Sequence, residues 1–504
     1  MGKNFQRKLF LSVAAISLSG TILILAACRG GETNKFISLN HEDKFYKLNY
    51  EGDYHFLDML KFKSGVSPND SNAMALGVTS DSAMRTFLSR SFYDDKQLPL
   101  PEWSPKAACT AFNSFNPDTQ SWNYSRNFDY WYNLDELDPD FLAGEADEFA
   151  TNPDFNVNAR AASAVVYTKP KSALEIKYFK TNIAKHEPVE SFSNVYLPYI
   201  FGDYSDPTKD SKYWKIAPYF AFDGMNKNGV AIAINVSGNL AQTNQANVED
   251  YDSFNYDRVN LNSFGFVRLI LDYAQSVEDA VELAQNFYLH DSLFEVNEPI
   301  HFQITDNSGD SVIIEFKEEY GFPSIVVRPE YVAKGTANTT IAQTPYVKDY
   351  LNDTLGIVIP GDLTNDYAVT GKDKFFQINE NFNHYDLRGD EGLYYKDQAD
   401  YIGAWSTLNT EIIGTTGLVY SDTTEGFLSK GIDDYDLRWS ESWGRYMICR
   451  EALEHVGGVT NDPMGILAAA RMYTWNSWSV VFDLGNFSAK LVYMQQYTKP
   501  AYNI

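Results

Sequence analysis

The chain has 504 residues, enough at ~100–200 residues per domain for two to four domains or one large architecture, and its 44% hydrophobic and 15% aromatic content excludes a disordered protein. Against 41 Lys and Arg stand 67 Asp and Glu, a formal charge of −26 that repels phosphate backbones and argues against nucleic acid as a partner. Three cysteines, Cys28, Cys109 and Cys449, supply neither a disulfide framework nor the paired spacing of a zinc site, and no metal or cofactor is expected.

Lys3, Arg7 and Lys8 precede an apolar run from Leu9 to Ala27, the pattern of a secretory signal. The run ends in Leu25-Ala26-Ala27-Cys28, which looks like a bacterial lipobox, and the chain turns polar at Arg29-Gly30-Gly31-Glu32. The expectation is a signal peptide over 1–27, lipidation at Cys28, and an acidic body held at the extracytoplasmic face of the cell membrane. Removing the three basic residues deepens the charge from −26 to −29.

Residues 28–108 read as a tether and leader, polar over 29–53 and then helix-like in apolar spacing over Tyr54–Phe62 and Asn72–Phe92. Three prolines in Leu98–Pro105 exclude helix or central strand and mark a connector. Beyond it the pattern is mainly strands: Ala161–Tyr167, Val230–Val236, and His301–Thr305 with Ser311–Phe316 joined by an Asp306–Gly309 turn. Helices are expected over Phe266–Tyr273, over Val277–Phe287 with Ser276 as N-cap, and over Ser442–His455, stopped by Gly457-Gly458. Trp478–Leu484 and Ala489–Gln495 close the chain as a hairpin.

The segment Cys109–Tyr130 is itself a hairpin, turning at Asn116-Pro117-Asp118 and bringing Arg126 and Asp129 back beside Cys109. A guanidinium near a thiol favours the thiolate, which is the nucleophile. On spacing alone, a core cysteine beside an ordinary ion pair is the competing reading.

At these residues the chain resembles the choloylglycine hydrolase and penicillin V acylase family of linear amide hydrolases. Cys109-Thr110 is similar to the pair that opens the family's mature chain, and Arg126-Asn127-Phe128-Asp129-Tyr130 to its Arg-Asn-x-Asp-aromatic motif. Asp223–Ala233 resembles the family's "DGMNEKGLA" turn and strand, Ser442–Tyr446 its late arginine helix, and Trp478–Asp483 its closing hairpin. The likeness spans roughly residues 109–500 in family order.

The resemblance implies an α+β, four-layer αββα N-terminal-nucleophile hydrolase over 109–504, preceded by a small helical segment. It also implies a small-molecule N-acyl amide as substrate, of the bile-salt, penicillin V or N-acyl amino acid type. Freed by cleavage before Cys109, the α-amine would be the base for the Cys109 thiol, its ordinary pKa of ~7.7–8.0 suiting that task. Arg126 would stabilise the thiolate, Asp129 would hold the amine, and asparagines with backbone N–H groups would line the oxyanion hole. The late arginine is represented by Arg445. Asn235 stands one position earlier than an ungapped match places the central-strand asparagine, so either a bulge intervenes or Asn235 merely ends the strand. For the second asparagine the candidates are Asn379, the preferred one, and Asn381.

Two outcomes are open at Ala108–Cys109. Either the thiol cuts the bond and the leader stays as a small subunit, or the bond stays intact and the protein is a non-catalytic ligand-binding surface lipoprotein. A cysteine dipeptidase of the related clan is a third reading. Cys449, on the helix of Arg445, is expected to be a buried structural thiol.

Overall fold

The computed structural model describes residues 33–40, 45–66, 74–93, 106–131, 162–177, 183–197, 200, 207–208, 213–236, 259–289, 300–317, 322–326, 378–379, 445, 449, 452–453, 456–470, 476–493 and 496–504. Residues 1–27, where the signal peptide is expected, Cys28 and the proline-rich stretch before Lys106 lie outside them.

The leader carries β1 (Phe36–Asn40), β2 (Phe45–Asn49), α1 (Phe56–Leu60), β3 (Lys63–Val66), β4 (Met74–Gly77) and α2 (Asp81–Phe92). Both helices lie within the stretches whose apolar spacing indicates them, but Met74–Gly77 of the helix-like stretch Asn72–Phe92 is strand β4, so the helix there starts only at Asp81, where Ser80 caps it by accepting from the Ala83 N–H at 3.1 Å. The strands correct the reading of 29–53 as a plain tether. Phe36, Phe45, Tyr46 and Leu48 are all buried, and the charged residues between them hide that alternation in the sequence.

Then follow β5 (Lys106–Asn116), β6 (Ser121–Trp131), β7 (Ser163–Thr168), β8 (Leu174–Lys177), β9 (Ile183–His186), β10 (Ser191–Tyr196), a 3-10 helix (Tyr213–Phe220), β11 (Ala221–Asn226) and β12 (Ala231–Val236). Next come β13 (Val259–Leu261), α3 (Ser263–Tyr273), α4 (Val277–Gln285), β14 (Phe287–Leu289), β15 (Ile300–Thr305), β16 (Ser311–Lys317) and β17 (Phe322–Val326). The chain ends with β18 (Ile378–Asn379), α5 (Pro463–Ala469), β19 (Asn476–Asp483), β20 (Ser488–Tyr493) and β21 (Tyr502–Asn503).

Two sheets dominate: a nine-stranded one ordered β1-β2-β7-β10-β11-β12-β15-β16-β17 and a six-stranded one ordered β18-β5-β6-β19-β20-β21. They pack face to face, with β5 against β12. Aromatic pairs fill the layer between them, among them Phe128 with Phe222 at 4.7 Å and Phe192 with Phe482 at 5.8 Å between ring centroids. Helix α3 covers the outer face of β11 and β12, and α5 covers the outer face of β6 and β19. The layers therefore run helix, sheet, sheet, helix, the expected αββα sandwich. Four short strands, β14-β13-β4-β3, form a further sheet that the leader shares.

Local chemistry explains most boundaries. Ser276 Oγ accepts from the Asp279 N–H at 3.1 Å and starts α4 as read. Asp306 Oδ1 accepts from Ser308 and closes the β15–β16 turn, where Gly309 takes φ +93°. Positions 445, 449 and 452–453 are helical, and Gly457 and Gly458, both at positive φ, stop that segment with Gly458 N–H donating to the Leu453 carbonyl at 2.8 Å.

Candidate active site

Cys109 is placed by the β5–β6 hairpin. Asn116 Oδ1 accepts from the Asp118 N–H at 2.9 Å and the Thr119 N–H at 3.3 Å, and Gln120 at φ 54° completes the reversal. In the resulting register Cys109 faces Phe128, Ala111 faces Arg126, and Ala108 faces Asp129. Strand alternation then turns Cys109, Arg126 and Phe128 toward the nine-stranded sheet and Thr110, Asn127 and Asp129 toward α5. The Asn127 side-chain amide donating to the Leu467 carbonyl of α5 at 2.9 Å fixes which face is which.

Arg126 bridges the two sheets. One end of its guanidinium, Nη2, donates to Cys109 Sγ at 3.2 Å and to the Ile234 carbonyl. The other, Nη1, donates to Asp223 Oδ2 at 2.7 Å and to the Phe222 carbonyl at 2.8 Å. Asp223 also accepts from Trp478 Nε1 at 2.9 Å and from the Asn194 amide at 2.5 Å. All of these side chains are buried, so the charge pair is compensated by hydrogen bonds from β5, β10, β11, β12 and β19 rather than by water.

The electrostatics correct one expectation. Burial raises the Cys109 thiol pKa above its ordinary value, and this outweighs the lowering by the Arg126 cation and its hydrogen bond. In the uncut chain the group beside Arg126 is therefore a thiol, because a side chain 1% exposed has lost the water a thiolate needs. Burial likewise raises Asp223 against the pull of Arg126. Burial works to lower the Arg126 pKa, but Cys109 and Asp223 lift it, and the guanidinium keeps its charge.

Of the two sequence alternatives for Asn235 the bulge is not found, and Asn235 stands next to last in β12. Strand β12 pairs with β11 and β15 in unbroken register, so no bulge intervenes, and Asn235 lies within the strand opposite His301. It shares the inner face with Ala233 and hence with Asp223, which pairs with Ala233. Its side chain is fully buried, and among the described residues neither its amide nitrogen nor its amide oxygen has a hydrogen-bond partner. A buried amide with no partner among the described residues, on the face that carries Asp223, can donate to an oxygen brought to it.

The remaining candidates take distinct places. Asp129 is buried level with Ala108, its Oδ1 accepting from the Asn476 amide at 3.0 Å. Asn379 pairs through its backbone with Ala111, along the edge of β5 away from β6. Arg445 is 5% exposed and donates from Nε to Thr110 Oγ1 at 3.0 Å, so it reaches the residue after Cys109 from the face opposite Sγ. Cys449 is buried, as expected of a structural thiol. Cys28 and Asn381 lie outside the described residues. Sequence reasoning gave no role to Asp223, Asn194 or Trp478. Asp223-Gly224 reads as a turn, but the turn comes at Lys227–Gly229 and Asp223 sits in mid-strand.

Residues 212–323, the segment that carries Asp223 and Asn235, match the family model "Linear amide C-N hydrolases, choloylglycine hydrolase family". This is the family the cysteine motifs indicated. The chemistry in that description, hydrolysis of linear amide C–N bonds, is also the one the Cys109 site implied. No curated protein sequence matches the chain. Among solved structures, two variants of the conjugated bile acid hydrolase from Clostridium perfringens align at 13% identity, over 79% of this chain and 92% of theirs, with TM-scores of 0.37 and 0.38. Penicillin V acylase from Agrobacterium tumefaciens aligns at 11% identity, over 79% of this chain and 86% of its own, with a TM-score of 0.39. At such TM-scores the layer order rests on the strand pairing and packing described above.

Proposed function

We propose that the protein is a cysteine amidase that hydrolyses the linear amide bond of an N-acyl compound through an acyl-enzyme on Cys109. The observation that carries this reading is the Arg126 guanidinium, 3.2 Å from Sγ and tied to Asp223 at 2.7 Å, with the Asn235 amide, unpartnered among the described residues, on the facing sheet. Bile salts, phenoxyacyl penicillins and N-acyl amino acids all present such a bond.

Activation begins at Ala108–Cys109. The thiol sulfur adds to the Ala108 carbonyl carbon, the C–N bond breaks as the nitrogen takes the thiol proton, and a thioester joins the two residues. Water hydrolyses it, leaving the Ala108 carboxylate, a free thiol and a free α-amine. That amine then takes the thiol proton, and the thiolate attacks the substrate carbonyl while Asn235 donates to the developing oxyanion. The leaving amine departs with the proton, and water releases the acid. Asp129, level with the cut bond, holds the new ammonium. Opening the strand at residue 108 also admits water to the thiol and removes part of the burial that raises its pKa.

A lipid on Cys28 would anchor the protein to the cell membrane on its extracytoplasmic side. The second reading, an uncut ligand-binding lipoprotein, draws on one observation: Ala108 continues β5 without a break, paired with Asp129. Intact-mass measurement separates the two. A break at Ala108–Cys109 that disappears in Cys109→Ala is expected, together with hydrolysis of an N-acyl amide that is lost in Cys109→Ser. An uncut wild-type chain insensitive to thiol reagents would sink the amidase reading, and cleavage of dipeptides but not N-acyl amides would favour the dipeptidase.

A further inference from the structure

The leader touches the catalytic region at several places among the described residues. Strand β2 lies along β7, Lys47 opposite Val165, and continues into Tyr50 N–H donating to the Tyr167 carbonyl at 2.9 Å. On the other sheet Phe45 stacks at 5.3 Å on Tyr493, and Asn40 donates to the Tyr502 hydroxyl at 2.9 Å. Strand β4 pairs with β13, and Val78 N–H donates to the Asn260 carbonyl at 2.8 Å. One further contact is polar and fully enclosed.

That contact is Tyr54 on α3. Its hydroxyl donates to Asp272 Oδ2 at 2.6 Å, while Asp272 Oδ1 accepts from Arg268 Nε at 2.9 Å. Arg268 also reaches Ser191 Oγ at 2.6 Å, and its guanidinium carbon stands 5.7 Å from the centre of the Tyr54 ring. The Tyr54 carbonyl in turn accepts from the Tyr219 hydroxyl. Arg268 and Asp272 are both inaccessible to solvent. A buried charge pair is costly unless its remaining valences are met, and the leader supplies both the hydroxyl and the ring that cover this one. Without the leader, α3 would expose that pair together with the apolar surface now closed by Phe56 and Met59.

We infer that residues 33–92 stay bound as a non-covalent subunit once the chain is cut before Cys109, with Tyr54 on the Arg268–Asp272 pair as the contact that fixes them. The inference takes the cut from the proposed activity, but its test does not depend on that cut. In full-length Cys109→Ala protein, a recognition sequence for a site-specific protease is inserted after Pro101 and cleaved to completion, as read on a denaturing gel. The two pieces are expected to co-elute in size-exclusion chromatography at neutral pH and to part only in denaturant. Elution of the leader alone in plain buffer overturns the inference. Tyr54→Phe keeps the ring and removes the hydroxyl, and should speed separation of the cut pieces in urea by about ten- to hundredfold, the range for losing a hydrogen bond to a charged group. An unchanged rate overturns the role given to Tyr54. A wild-type chain that never cuts itself speaks against the amidase reading alone and leaves this result standing.

Discussion

The Arg126 guanidinium is tied to Asp223 across the inter-sheet layer at 2.7 Å, so the cation beside Cys109 is set by a residue of the opposite sheet. Removing the carboxylate in Asp223→Ala leaves Arg126 buried without its anion, a loss of about 3–5 kcal/mol of stability that thermal unfolding will register. Asp223→Asn keeps the volume and should cost less stability, while lowering kcat more than it raises KM because Arg126 is then less firmly aimed at Sγ. A variant with normal kcat and normal unfolding would contradict the bridging role.

Asn235 should show function and stability moving in opposite directions. Its two idle amide atoms bear a desolvation cost of about 1–3 kcal/mol that no partner offsets among the described residues. Asn235→Leu, similar in volume, is expected to unfold at the same or a higher temperature while kcat falls by about 10²–10³. Loss of stability with activity retained would mark Asn235 as an ordinary core residue.

Gly309 joins the β15–β16 turn to the β5–β6 hairpin that carries Cys109. Its φ is +93°, a Cβ there would lie 2.2 Å from a Trp122 ring carbon, and its carbonyl accepts from the Asn113 amide at 3.4 Å. Gly309→Ala therefore meets both backbone strain and a rigid ring, and should cost more than about 1 kcal/mol in urea denaturation. A neutral result would show that the turn swings away from Trp122 freely.

Asp272 gives the fold a pH signature. Burial lifts its pKa to about 6 from 3.8, even with Arg268 beside it. Between those values the folded protein keeps a proton that the unfolded chain has lost, so this group's contribution to stability declines as pH rises from about 4 to about 6 and is level above. Urea midpoints measured from pH 4 to 7 should show that slope in the wild type and a shallower one in Asp272→Asn, whatever the absolute stability of the variant. Equal slopes would place the Asp272 pKa near its ordinary value.

The hairpins around Asn116–Gln120, Asp306–Gly309 and Leu484–Phe487 were legible because their turns use residues with a local reason to turn, and α4 because Ser276 caps it. The Cys109–Arg126 contact followed from the first of these hairpins, since both residues belong to one local unit. Asp223 was not legible: its partners Arg126 and Trp478 come from the other sheet, and strand alternation tells which face a residue takes but not what covers it. The raised thiol pKa was missed for the same reason, since the sequence shows the cation and not the depth of burial. In the leader, strand alternation is read easily only when polar positions face water throughout, and Lys47, lying over the Tyr167 ring at 4.4 Å, is a charged residue recruited to the strand surface.

Strand β2 runs parallel to β7, in a sheet whose other neighbours are antiparallel. A ribosome delivers Lys47 long before Val165, so β2, although paired with β1 on one edge, has no partner on its other edge until the middle of the chain has emerged. Pairing across so long a stretch carries a loop-closure cost before any contact rewards it, and such topologies fold slowly. The leader is therefore among the earliest parts synthesised and among the last to find its place. During that interval its apolar strands stand open to other chains.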